Sequence, residues 1–199
     1  MDIQPVFGTP LITATLHDAR LHAEIAAAIT AAAAAPSAGE VPGGGWRSGP
    51  LPQGWGGAAG TTLANSALAL ARQHSVDIAG DGRDRFGWRC DLEALLLPPG
   101  ARTLPGFAPA AFWSAIYCVE ATADGVIELE DPRSPLILLE APSLRFAAGP
   151  TAAVEEPVQR LRAVAGQLLM FPGWLRRAHG PGAGRRMFLH LDLVALPRD

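Results

Sequence analysis

The chain has 199 residues, 49% hydrophobic and 18% charged, enough to bury one substantial core and too few for two large domains. Its 16 basic residues, all arginine, stand against 19 acidic ones for a net charge of −3, so neither nucleic acid nor an anionic membrane surface is an expected partner. The absence of lysine excludes Schiff-base catalysis and a P-loop.

The start, Met1-Asp-Ile-Gln-Pro-Val-Phe-Gly8, lacks a basic segment followed by a long apolar one. No apolar run approaches the roughly 20 residues of a membrane helix, so a cytoplasmic protein is expected. Residues 18–35 carry Leu21, Ile25 and Ile29 at four-residue spacing. That is one face of a helix, with Asp18 as its N-cap and Pro36 beyond its end. Residues 36–60 are rich in glycine and proline and contain Trp46 and Trp55. The segment reads either as an ordered lid or as partly disordered; two such rings, seldom carried by a purely flexible linker, favour the lid or else plug the edge of the core. Residues 61–74 repeat the helical pattern through Leu63, Ala67, Leu68, Leu70 and Ala71, with Thr61 or Thr62 as the cap.

After Gly82 the pattern changes to short extended runs at 86–97, 112–120, 125–129, 136–140, 168–171 and 187–196, broken by proline and glycine turns. Helices first and strands later is an α+β order, mainly β, with the helices buttressing one sheet of an antiparallel sandwich or barrel. One domain over 1–199 is expected, with a helical and loop-rich part at 1–81 and a β core at 82–199. Cys90 and Cys118 each sit in an apolar strand-like run, which supports neither a disulfide framework nor a thiolate zinc site.

Four segments carry a family likeness. Gly106-Phe-Ala-Pro-Ala-Ala-Phe-Trp-Ser-Ala-Ile-Tyr-Cys-Val119 resembles the His-x-His-Pro-x-x-x-x-Ser-Gly-x-Tyr-Tyr-Val block of a bacterial family of 2-oxoglutarate/Fe(II)-dependent oxygenases. Glu130-Asp-Pro-Arg133 is similar to that family's Asp-Pro-Arg turn, and Leu169-Met-Phe-Pro-Gly-Trp-Leu-Arg-Arg177 to its Phe-Pro-Ser-Trp-Leu-x-His segment. Arg186-Met-Phe-Leu-His-Leu-Asp192 resembles its Arg-x-Ser-x-x-Phe-Asn strand, with Phe188 in place of the serine. Gly106, Ala108 and Arg177 stand where the family has histidines.

The resemblance implies a double-stranded β-helix, a jelly roll holding Fe(II) and 2-oxoglutarate at its open end. Arg186 would hold the far carboxylate of the keto acid, and Tyr117 is a candidate to present its hydroxyl to the same cavity. The alternatives are that Arg186 pairs with Asp192, Asp131 or Glu130, and that Tyr117 packs in the core. Facial iron chemistry needs two imidazoles and a third ligand. A rebuilt set would come from His179, His190 and Asp192, because alternation along the last strand puts Arg186, Phe188, His190 and Asp192 on one face. Otherwise His190 is a hydrogen-bonded strand histidine and His179 a solvated loop residue. The expectation is a catalytically silent barrel that binds a small carboxylate or a protein partner; the alternative is an active 2-oxoglutarate-dependent hydroxylase with a rebuilt metal site. Exposed sheet edges make a homodimer a further candidate. Asp91 with Glu93, and Glu128 with Glu130, share strand faces and read as acids facing water.

Overall fold

A computed structural model describes residues 8–34, 39–41, 44–78, 85–133, 147–148, 153–154 and 158–198. Strand β1 (Ile12–Thr15) leads into helix α1 (Ala19–Ala33), whose N-cap Asp18 accepts from the backbone N–H groups of Arg20 and Leu21 at 3.0 and 2.9 Å. Leu21, Ile25 and Ile29 are buried, as their spacing requires. Two short strands follow, β2 (Gly39–Val41) and β3 (Gly45–Arg47), and then α2 (Gly57–Gln73).

Helix α2 begins four residues before the expected Thr61. Gly56 caps it at φ 79°, and Thr61 instead donates its hydroxyl to Gly57 O at 2.9 Å within the first turns. At Gly60 an added Cβ would lie 1.8 Å from Trp55 O, so only glycine lets the preceding loop close against the helix. A glycine-rich opening that reads as irregular is here a packing requirement.

The β core comprises β4 (Phe86–Leu97), β5 (Trp113–Glu120), β6 (Val126–Glu130), β7 (Ala147–Ala148), β8 (Ala153–Val154), β9 (Val158–Arg162), β10 (Gln167–Pro172), β11 (Arg176–His179) and β12 (Arg186–Pro197). All pairings are antiparallel. One sheet runs β1-β10-β5-β12-β4-β3-β2 and the other β11-β6-β9, with β7 and β8 forming a separate hairpin pair. Two antiparallel sheets buttressed by two helices make the α+β jelly roll. The run at 136–140 lies outside the described residues.

Strand alternation separates two cores. Met187, Leu189 and Leu191 of β12 join Trp113, Ala115 and Tyr117 of β5 beneath the helices. Ile116 and Cys118 join Phe188 in the second core, facing Ile127 and Leu129 of the smaller sheet. The described part of 36–60 extends the larger sheet along β4 rather than forming a lid: Trp46 pairs with Leu96, Leu51 bridges to Leu92, and both tryptophans pack against the helix-side core. Cys90 and Cys118 are free and buried, and burial pushes each thiol up to about 12, so both are chemically inert at neutral pH. Among the described residues no helix is long and apolar enough to cross a membrane.

Candidate functional site

The open end of the sandwich is built where β11 meets the long β4–β5 connection. Gly106 N–H donates to Arg177 O at 3.0 Å and Arg177 N–H returns to Gly106 O at 2.7 Å. Gly106, Ala108 and Arg177, the three residues that the sequence resemblance sets against histidines, therefore meet in space around one cleft of about 320 Å³. Arg47, Glu93, His190 and Asp192 line it too.

The Arg177 guanidinium reaches across the cleft floor to Asp192, Nη1 to Oδ1 at 2.5 Å and Nη2 to Oδ2 at 2.9 Å. The Ser114 hydroxyl adds a third bond to Oδ1 at 2.8 Å. This parallel fork is the geometry in which arginine holds a carboxylate most firmly. With their side chains only 10% and 18% exposed, the pair is shielded from solvent screening.

His179 and His190 are both buried, and their Nε2 atoms lie 2.8 Å apart. The ring planes are within 10° of each other and the centroids 5.1 Å apart. That separation is the one two imidazoles reach when they meet end to end along such a contact. Nitrogens sharing a metal at about 2.0–2.1 Å would instead aim at a third point and draw the rings closer together. The contact is therefore an N–H···N hydrogen bond between neutral rings. Glu93 Oε2 lies 3.4 Å from His190 Nδ1, which favours a proton there. One Nε2 carries the proton and donates, and the other accepts. The Glu93 approach lacks hydrogen-bond alignment, and neither Nδ1 has a hydrogen-bond partner among the described residues.

The rings are held rigidly. His179 N–H donates to the Thr103 hydroxyl at 2.8 Å, Thr103 N–H donates back to His179 O at 3.0 Å, and the ring lies against Phe188 with centroids 4.0 Å apart. Burial, followed by the His190 ring and the Arg177 charge, holds the His179 pKa well below its ordinary 6.5. Burial and then Arg177 do the same for His190, against the opposing pull of Asp192. His179 is thus no solvated loop residue; it ends strand β11 inside the barrel.

Arg186 is fully buried and does not line the cleft; Asp124 is the acid near enough to favour its charge, without a hydrogen bond between them. Its Nη1 donates to Gly180 O, its Nη2 to Ala101 O at 2.7 Å and Pro98 O at 3.3 Å, and its Nε to Gly184 O at 3.4 Å. The guanidinium clamps two loops through their carbonyls. A Cβ at Gly182 would fall 2.9 Å from Arg186 Nε, so the glycine there makes room for the clamp. The expected carboxylate partners of Arg186 are engaged elsewhere, Asp192 with Arg177, Asp131 with Arg133 and Glu130 with Arg176.

Tyr117 lies on the wrong face of β5 to line the cleft. Strand parity sends it to the helix-side core, fully buried, with its hydroxyl 3.4 Å from His22 Nδ1, while Ser114 and Ile116 face inward. Asp91 and Glu93 are the reverse case. Sequence parity marked them as water-facing acids, yet they lie opposite Asp192 and His190 across the β4–β12 register and line the cleft. The signal was their register with the His190-Leu-Asp192 pair.

No known protein-family model matches the sequence, and neither does any curated protein. Solved structures do share the fold. A prolyl-4-hydroxylase from Pseudomonas putida superposes with a TM-score of 0.63 at 13% identity, over 96% of this chain and 94% of that one. The non-heme alpha-ketoglutarate-dependent epimerase SnoN from nogalamycin biosynthesis gives 0.63 at 16% identity, over 96% and 81%. A 2OG-Fe(II) oxygenase family oxidoreductase from Burkholderia pseudomallei gives 0.58 at 14% identity, over 98% and 90%. The fold is that of the 2-oxoglutarate/Fe(II) oxygenases.

The donor set does not fit the iron such a fold implies. Among the described residues no three His, Cys, Asp or Glu side chains are placed to share a metal ion. His179 and His190 satisfy each other, and Asp192 is turned into Arg177 and Ser114. The three candidate ligands are brought into one region and withheld from a common point. The keto acid fares no better at Arg186, whose donors already hold carbonyls.

Proposed function

We propose that this chain is a jelly-roll protein of the 2-oxoglutarate/Fe(II) oxygenase-like group whose iron site has been replaced by an internal ion pair. It is silent as an oxygenase and binds a small carboxylate-bearing ligand in the cleft. The observation that carries this is the placement of Arg177: a residue at a family histidine position supplies a fixed cation, neutralised by Asp192, beside two positions reduced to Gly106 and Ala108. Two neutral imidazoles closed on each other complete a site without free metal ligands. The carboxylate role passes from Arg186 to the cleft arginines, Arg177 and Arg47. Reduced, buried cysteines fit a cytoplasmic location.

Incubation with Fe(II), ascorbate and 2-oxoglutarate tests this. Succinate formation should not rise above a protein-free control. Iron-dependent succinate formation that disappears in His179→Ala or His190→Ala would instead establish an active hydroxylase in which the imidazoles turn to a metal and Asp192 leaves Arg177.

A further inference from the structure

The cleft carries charges of both signs in balance. Arg177 gives two of its five N–H groups to Asp192, and its other donors have no partner among the described residues although its side chain is only 10% exposed. His190, 2% exposed, likewise presents an Nδ1 without a hydrogen bond. Glu93 stands beside that nitrogen at 3.4 Å, with the half-exposed Arg47 at 3.6 Å. Asp91 is gripped from outside by Arg89, whose Nε and Nη2 lie 2.9 Å from its oxygens. Counted with Arg89, which stands outside the lining, Asp91, Glu93 and Asp192 are matched by Arg89, Arg47 and Arg177, and the charges around the site balance.

A lone anion or a lone cation gains little from such a site, because each attractive group stands beside its opposite. A ligand carrying both charges a few ångströms apart is held at both. The rim adds an apolar contribution, since Leu104 and Phe107 are 70% and 58% exposed beside the opening. The cleft volume of about 320 Å³ lies at the small end of the roughly 300–1,000 Å³ typical of ligand pockets.

We propose that this cleft binds a small zwitterion, an α-amino acid with an apolar side chain, its carboxylate on the spare donors of Arg177 and its ammonium on Glu93, with Leu104 and Phe107 covering the side chain. The proposal rests on the cleft not being an iron site, and it names the ligand class for the binding role given above.

Calorimetric titration of the full chain in EDTA compares L-leucine with isocaproate, which lacks the ammonium, and isoamylamine, which lacks the carboxylate. L-Leucine should bind about tenfold or more tightly than either, since each charged hydrogen bond lost costs roughly that factor. Glu93→Gln should abolish the advantage of L-leucine over isocaproate, and should not weaken isocaproate, since Arg47 loses its neighbouring carboxylate. Equal affinity for a singly charged analogue overturns the proposal. So does the absence of binding by L-valine, L-leucine and L-phenylalanine at millimolar concentration. Because EDTA removes divalent metal, failure here leaves the loss of iron standing, whereas iron-dependent succinate formation would sink that reading whatever the amino acids do.

Discussion

Folding stability should fall steeply as the pH drops below about 6.5, because two buried histidines are neutral only in the folded state. Burial holds both imidazoles well below their ordinary 6.5, so below that pH the unfolded chain binds more protons than the folded one. A folded pKa depressed in this way means that stability is complete above about pH 6.5 and is lost as the pH falls. The slope reaches about 1.4 kcal/mol per pH unit for each ring and about 2.7 for the pair. Two pH units of such loss rival the roughly 5–15 kcal/mol by which domains are stable at all. Protonating both rings turns the Nε2 contact from a hydrogen bond into a clash of two donors beside Arg177. Urea midpoints measured across the acid limb check this. His179→Leu should halve the slope while lowering stability at neutral pH, since His190 Nε2 loses its partner. A flat profile between pH 7 and 5 would mean that the pair is not buried as described.

Replacing Arg186 with methionine should destabilise the protein by about 3 kcal/mol or more, from the buried carbonyls left without donors. Two of those bonds, to Gly180 O and Ala101 O, are buried and carry a full charge on the donor. Lysine should recover little, because a single ammonium cannot reproduce the guanidinium fork that spans the two loops. The direction separates two roles. An arginine kept for a ligand carboxylate would sit as an uncompensated buried charge in the free protein, and methionine would then be neutral or stabilising while binding was lost. Denaturant midpoints at unchanged m-value decide between them.

The long strands were readable from sequence, as were β6 and β10 through the runs 125–129 and 168–171, and most of the short ones were not. Runs 86–97, 112–120 and 187–196 match β4, β5 and β12 to within a residue or so, because buried central strands are long, apolar and bounded by proline and glycine. The strands β1, β2, β3, β7, β8, β9 and β11 were missed. Each has only two to five residues, which gives alternation little room to register. Helix α1 was legible through Asp18 and its four-residue spacing, whereas α2 opens on glycines that look like loop.

At the site, parity along β12 correctly grouped Arg186, Phe188, His190 and Asp192, since the residues between them face the helices. What parity cannot convey is which donor meets which acceptor. Arg186 and Arg177 are both arginines near Asp192 in pattern. Only the fold shows that the first is consumed by loop carbonyls and the second by the carboxylate. His179 and His190 were both legible as candidates, but the end-to-end contact between them depends on the pairing of β11 with β6 and β12 with β4, which local sequence does not encode.

The most direct test of the proposal that the iron site is lost is to add Mn(II) to metal-free protein and follow the imidazole resonances of His179 and His190 by NMR, with and without 2-oxoglutarate. Two neutral rings bonded to each other should keep their signals sharp, without selective paramagnetic broadening, and the ring nitrogens should report one Nε2–H and one bare Nε2. Saturable, stoichiometric broadening of both rings, strengthened by 2-oxoglutarate, would show that they open onto a metal and would contradict the account.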